Sequence, residues 1–175
     1  VPTTAADHVN TLLASYPDFP QPGILFRDLN PVFADAAAFR CLIDALVGRF
    51  AGEFDAVAGI EARGFLLAAA VGYAADVAVL AVRKGGKLPG AVLSEDYDLE
   101  YGSARLELEI GQLAPGSRVL ILDDVLATGG TIAATSRLIQ RAGYALAGVG
   151  VVLELTDLDG RSRLGDAVVH TIVAL

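Results

Sequence analysis

Apolar residues along this chain follow two rhythms, and the change from one to the other marks out the elements. Over Thr4–Ser15 and again over Asp35–Phe50 the helical rhythm holds, which predicts two helices with one buried face each. The first stops at Tyr16-Pro17-Asp18-Phe19-Pro20-Gln21-Pro22-Gly23, where the prolines deny continuation. Ala56–Ile60, Val77–Val82, Arg118–Leu122 and Leu146–Leu153 are mainly apolar runs, as strands buried on both faces carry. Helices are predicted from the turn Glu61-Ala62-Arg63-Gly64 to about Ala74 and over Thr131–Ala142, and a last strand over Ala167–Ile172. Between Arg83 and Gln112 the pattern turns polar. A Gly/Pro loop precedes two alternating stretches, Ala91–Asp98 and Arg105–Ile110, suited to an exposed hairpin.

Strands alternating with helices imply right-handed crossovers and a largely parallel sheet. Ligands of such sheets bind beyond the carboxyl ends of the strands. Ile60, Val82 and Leu122 each close an apolar strand before a loop rich in glycine or charge, so the three loops are expected to face one cleft. Composition agrees: 54% hydrophobic and 19% charged residues suit one compact α/β domain and not a disordered chain. The net charge of −8 argues against a nucleic-acid surface, which needs clustered Lys and Arg. Gly64–Val82 is apolar enough to raise a membrane span, but Gly72 and Asp76 divide it into a helix and a strand. The single cysteine, Cys41, lies on an apolar helical face, precludes an internal disulfide and fits a reducing cytosol. No basic region followed by an apolar run opens the chain, and the lack of Met, even at position 1, suggests a removed initiator or a trimmed start. A soluble, cytoplasmic protein is expected.

The richest chemistry lies in Val119-Leu120-Ile121-Leu122-Asp123-Asp124-Val125-Leu126-Ala127-Thr128-Gly129-Gly130-Thr131. An apolar strand ends in two acids, and a small-residue loop then opens a helix. Unpaired backbone N–H groups and the helix dipole make such a junction an anion site. Gly129 and Gly130 let the backbone approach a phosphate, and Thr128 and Thr131 add hydroxyl donors. Asp123 and Asp124 repel a phosphate but accept from sugar hydroxyls, so the pattern suits a ribose 5-phosphate. No lysine follows as in a Walker A loop, and the loop does not spell Gly-x-Gly-x-x-Gly. The plainer alternative is a turn in which Thr128 or Thr131 merely caps the helix.

Charge adds a second clue. The chain has two lysines, Lys84 and Lys87, both in Arg83-Lys84-Gly85-Gly86-Lys87, while Arg63 sits on another predicted strand-end loop. An acidic chain that concentrates its cations in this way is built to hold a polyanion, such as a pyrophosphate on the ribose C1. A solvated loop tip is the competing reading.

The Asp-Asp to Ala-Thr-Gly-Gly-Thr run resembles the ribose-phosphate signature of the type I phosphoribosyltransferases. Three more regions resemble the adenine phosphoribosyltransferase family. Tyr16-Pro17-Asp18-Phe19-Pro20-Gln21-Pro22-Gly23-Ile24-Leu25-Phe26-Arg27-Asp28 is similar to its base-binding segment. Gly59-Ile60-Glu61-Ala62-Arg63-Gly64-Phe65 and Val82–Gly90 resemble its pyrophosphate-side loops, and Tyr97-Asp98-Leu99-Glu100-Tyr101-Gly102 its mobile catalytic loop. The likeness runs from about Tyr16 to Thr156, and the tail beyond Asp157 is less distinctive. Asn30 departs from it, standing where a Ser or Thr is expected.

This resemblance implies an α/β fold with a mainly parallel central sheet flanked by helices. It also implies a small N-terminal hood over 1–34 and a flexible β-hairpin loop over 83–112, all within one domain of 1–175. The implied reaction joins adenine to 5-phosphoribosyl 1-pyrophosphate with Mg²⁺, giving AMP and pyrophosphate in purine salvage. Asp123 and Asp124 would bind the ribose hydroxyls, directly or through the metal's water shell. Ala127, Thr128, Gly129, Gly130 and Thr131 would hold the 5-phosphate, and Arg63, Arg83, Lys84 and Lys87 the pyrophosphate. Phe26 would pack on one face of the purine and Leu126 on the other, with backbone groups of Leu25 and Arg27 reading its edge. Glu100 would manage the purine proton, and Tyr101 would help close the loop, with Gly90 and Gly102 as hinges. A homodimer is implied, with no nucleic-acid or membrane partner.

Base choice is the finest point. Enzymes for 6-oxopurines resemble one another in a late lysine that donates to O6, and no lysine follows Lys87 here. The rivals are a transferase for another purine and a regulator that senses the donor without catalysis. A regulator is expected to carry a nucleic-acid-binding extension or basic face, and neither is visible in the sequence.

Overall fold

The computed structural model describes residues 3–98 and 103–175. In chain order the elements are α1 (Ala5–Leu12), β1 (Ala14–Pro17), β2 (Leu25–Asp28), α2 (Asn30–Ala34), α3 (Ala36–Arg49), β3 (Ala56–Ile60) and α4 (Gly64–Ala75). There follow β4 (Ala78–Lys84), β5 (Val92–Asp98), β6 (Ser103–Glu109), β7 (Arg118–Leu126), α5 (Gly130–Arg141), β8 (Ala145–Glu154) and β9 (Val169–Ala174). Two 3-10 segments, Thr156–Leu158 and Gly160–Leu164, lie between β8 and β9.

Side chains set where the first helices begin. Thr4 and Asp7 form a reciprocal capping box on α1. Asp35 caps α3 by accepting from the Ala37 and Ala38 N–H groups at 3.0 and 2.8 Å. Seven strands form one sheet in the order β5-β6-β4-β3-β7-β8-β9. Its β4, β3, β7, β8 and β9 are parallel, and the β5–β6 hairpin joins antiparallel at one edge.

The central strands β3, β7 and β8 are mainly apolar because both faces are covered. On one face α3 and α4 pack with Leu120 and Leu122, and the N-terminal segment adds Val9, Leu29 and Val32. On the other, α5 packs with Val119 and Ile121, and the hairpin contributes Leu106 and Leu108. Leu46, Leu67 and Leu138 are fully buried. Each such side chain stabilises the fold by about 1.5–3 kcal/mol, so the central strands and helices hold the site's frame. The hairpin is pinned from outside, where Glu95 accepts from Arg137 and Arg141 of α5. Among the described residues no helix is long and apolar enough to cross a membrane.

Several element bounds differ from those expected, β4 running on to Lys84 and β6 starting at Ser103 among them. The helix expected over Thr4–Ser15 stops at Leu12, because Ala14–Pro17 pairs antiparallel with Leu25–Asp28. The proline-rich stretch is thus the connection of a hairpin, and a short helix, α2, follows it. The strand expected to end at Leu122 runs on to Leu126, because β8 continues beside it and pairs Val125 with Leu153 and Leu126 with Glu154. The last strand is Val169–Ala174, two residues later than expected.

Candidate active site

The carboxyl ends of β3, β4 and β7 do open on one cleft. Glu61, Ala62, Arg63, Lys84, Tyr97, Leu106, Asp123, Asp124 and Thr131 line a cavity of about 270 Å³. The loop from β7 to α5 forms a second, of about 70 Å³, lined by Ala127–Thr131 with Asp123, Val125, Leu126 and Ile132. Asp123 and Thr131 belong to both, so the two cavities are contiguous.

The loop has the features of an anion site. Gly129 has φ 79°, a left-handed conformation that glycine adopts without strain, and precedes a helix with no side-chain cap. The capping alternative for Thr128 and Thr131 is therefore not realised. The first-turn N–H groups of α5 remain open, with the positive end of the helix dipole behind them.

The acids lie within β7 and not beyond it. Asp123 accepts the Asp124 N–H at 2.9 Å. Its packed surroundings, and then the charge of Asp124, push its carboxyl well above the ordinary carboxylate range. Asp124 is 8% exposed, and its Oδ2 lies 2.6 Å from Nε of Arg63. That contact lacks the direction of a hydrogen bond, so Oδ2 has no donor among the described residues. Arg63 reaches it because the turn sits directly on β7: a Cβ on Gly64 would stand 2.8 Å from the Leu122 carbonyl oxygen.

The cationic loop is organised by a residue the sequence reading gave no role, Glu61. Its carboxylate accepts from Lys87 Nζ and from the Lys84 backbone N–H at 2.9 Å, and lies 3.5 Å from Arg83 Nε. These partners, Lys87 first, hold its carboxyl down from 4.5 to about 2. Lys87 is thus committed to an internal pair, while Lys84 and Arg63 line the cleft. Arg83 Nε is buried and has no hydrogen-bond acceptor among the described residues. Arg83 Nε and Asp124 Oδ2 are therefore each held by an opposite charge, Glu61 and Arg63, without a directed hydrogen bond. An acid at a strand end two residues before an arginine was the available signal for Glu61, but its partners become visible only once β4 lies beside β3.

The segment expected to bind the base lies beside this cleft. Phe26 packs edge-on against Phe19 with ring centroids 5.2 Å apart, and the Arg63 guanidinium stands 5.6 Å from the Phe26 centroid. Tyr16, Phe19, Phe26 and Asp28 line an aromatic hollow of about 250 Å³. Leu25 and Arg27 flank Phe26 on β2, two apart, so their backbone polar groups point the same way. Leu126 does not share this face. It is 1% exposed, in the cluster with Ile132 and Leu138, opposite the N-terminal segment. Val125 instead packs on the side of Leu29 and Val32. Strict alternation would have put Leu126 on the face of Leu122, but β7 does not keep it past the two acids. Glu100, Tyr101 and Gly102 lie outside the described residues.

A mainly parallel sheet with an uncapped helix, paired acids and cationic turns at its strand ends defines a class that handles sugar phosphates. Residues 34–172 match the family model for the phosphoribosyl transferase domain. The chain is 65% identical over 173 residues to an adenine phosphoribosyltransferase of Clavibacter sepedonicus, covering 99% of this chain and 90% of that protein. The crystal structure of adenine phosphoribosyltransferase from Rhodothermus marinus superposes with a TM-score of 0.91 at 44% identity, covering 98% of each chain. The enzyme from Saccharomyces cerevisiae, solved with adenine and an imino-altritol bisphosphate, superposes with 0.91 at 39% identity, covering 97% of this chain and 98% of that one. The chain belongs to the phosphoribosyl transferase family and, within it, to the adenine phosphoribosyltransferases.

Proposed function

We propose that the cleft transfers the 5-phosphoribosyl group of 5-phosphoribosyl 1-pyrophosphate to adenine, releasing AMP and pyrophosphate. One observation carries this reading: Arg63 joins the base segment to the sugar acids, 5.6 Å from the Phe26 ring on one side and 2.6 Å from Asp124 on the other. The base, the ribose and the leaving group then fall on neighbouring surfaces of one cleft.

The 5-phosphate sits in the loop Ala127–Thr131 on the open N–H groups of α5. Asp123 and Asp124 accept from the ribose hydroxyls, with Arg63 beside Asp124. Arg63, Arg83 and Lys84 face the pyrophosphate, and Lys87 acts through Glu61 by holding the loop. Phe26 stacks on adenine, Val125 in place of Leu126 forms the second wall, and backbone groups of Leu25 and Arg27 read the ring edge. In the reaction a ring nitrogen of adenine bonds to C1 as the C1–O bond to pyrophosphate breaks. Glu100 takes the proton the purine gives up, and Tyr101 closes the loop over the site. Clustered cations stabilise the charge that builds on the leaving group.

Among the described residues no group of three or more acidic, His or Cys side chains is placed to hold a metal alone. Two hard carboxylates beside a phosphate site do suit Mg²⁺ that keeps waters and takes substrate oxygens. When bound, Mg²⁺ supplies further neutralisation of the pyrophosphate. A homodimer is supported by α4, which carries no charged residue yet leaves Leu66 and Tyr73 52% and 91% exposed. A sedimentation mass of one chain would contradict it. A cytoplasmic setting is supported by the one cysteine, Cys41, which is free.

The test of the reaction is direct. Protein mixed with adenine, the pyrophosphate donor and Mg²⁺ is expected to form AMP and pyrophosphate in equal amounts. Binding of the donor without product at any adenine concentration would favour the sensor reading instead.

A further inference from the structure

An unexplained contact lies against the phosphate loop. After β8 the chain returns as the 3-10 segment Gly160–Leu164, whose first residue is buried on the loop. A Cβ on Gly160 would stand 2.1 Å from the Ala127 carbonyl oxygen and 2.9 Å from the Gly129 nitrogen. A Cβ on Gly129 would stand 2.3 Å from the Gly160 carbonyl oxygen. All these neighbours are backbone, so no rotamer change relieves them. Carbon–oxygen contacts settle near 3.3 Å or beyond, so a side chain here must move one backbone by on the order of 1 Å.

Arg161 holds this contact in place. Its Nε donates to Glu154 Oε1 at 3.0 Å, and its Nη2 to Glu154 Oε2 at 2.5 Å and to Thr171 Oγ1 at 3.1 Å. Its Nη1 donates to the Val169 carbonyl at 3.1 Å, and Thr171 Oγ1 donates to Glu154 Oε2 at 2.8 Å. Glu154 is buried and is the last residue of β8, in register with Leu126, the residue just before the loop. The guanidinium therefore ties the returning tail to the strand pair that launches the phosphate loop.

We propose that Gly160 and Arg161 are positioning residues for 5-phosphate recognition, a backstop that fixes the Ala127–Gly129 backbone so that the loop's N–H groups converge on one centre. This rests on the reading that the loop holds the donor's 5-phosphate. Neither residue touches the ligand, and both act through the loop.

Steady-state kinetics, with calorimetry of ribose 5-phosphate binding, on Gly160→Ala, Arg161→Lys and Thr131→Ala test the proposal. Gly160→Ala is expected to raise the donor KM and the ribose 5-phosphate Kd roughly 10- to 100-fold, as a misplacement of about 1 Å does. Adenine KM should stay within about twofold, a split that a general loss of structure would not produce. Arg161→Lys keeps the charge but loses the fork, and should move the same constants the same way by a smaller factor. If Thr131→Ala weakens ribose 5-phosphate binding while the other two variants leave it unchanged, the backstop is overturned and the loop reading stands. If Thr131→Ala also has no effect, the loop reading has failed and the backstop falls with it. Should Gly160→Ala not fold, Arg161→Lys decides alone, and an unchanged Kd overturns the proposal.

Discussion

Asp124→Asn changes one charge where the cleft's electrostatics and hydrogen bonding meet. The wild-type carboxylate is 8% exposed and its Oδ2 lies 2.6 Å from Arg63 Nε. An amide replaces an acceptor-only group with a mixed donor and acceptor, so a ribose hydroxyl loses its charged partner. Hydrogen bonds to charged groups contribute about 1.5–3 kcal/mol, so donor affinity should fall roughly 10- to 150-fold. Arg63, released from Asp124, keeps its charge for pyrophosphate, whose affinity should hold or tighten. Breaking a fully buried ion pair costs about 3–5 kcal/mol, but Arg63 is 32% exposed and the loss here should be smaller. The variant should therefore fold, which a thermal melt checks. Calorimetry with the donor, ribose 5-phosphate and pyrophosphate, each with Mg²⁺, reads the three affinities separately. Donor affinity within about twofold of wild type, or an equal loss for pyrophosphate, would refute the assignment.

Three further outcomes are expected. In metal-free protein at pH 7, Asp123→Asn should raise the melting midpoint even as it lowers activity. Burial and the neighbouring Asp124 hold the Asp123 carboxyl above its ordinary range, so wild type loses stability as pH rises through that raised value and the amide does not. For a domain of this size each kcal/mol gained corresponds to a rise of roughly 2–4 °C, and a lowered midpoint would count against the assignment. Phe26→Ala should raise adenine KM roughly 5- to 150-fold, the loss of a stacking contact of about 1–3 kcal/mol, with donor KM little changed. Equal changes in both constants would remove Phe26 from the base site. Glu100→Gln should lower kcat by about 10²- to 10⁴-fold, more than it raises KM, and wild-type turnover across the pH range would retire its proton transfer.

The parallel core was legible because its strands are buried on both faces and so spell apolar runs that local sequence shows directly. Thr4–Ser15 was read as one helix because its end is set by a distant partner: Ser15 becomes extended only when it pairs with Arg27. The phosphate loop and the two acids were legible as chemistry, yet their strand was cut short at Leu122, since only β8 alongside shows that it continues. The resemblance alone implies Leu126 for the base, and no local pattern shows that β7 changes face past Asp124 and leaves Val125 on the side of the N-terminal segment. Glu61 was hidden because it works on residues of another loop. Gly160 was hidden for a different reason: its role is the absence of a side chain where two backbones meet. No local pattern announces such a contact.

Choice of base is the most direct test of the cleft's function. Offered adenine and hypoxanthine together with the pyrophosphate donor and Mg²⁺, the protein is predicted to form AMP while hypoxanthine remains unconsumed. Formation of IMP at a rate equal to or above that of AMP would contradict it.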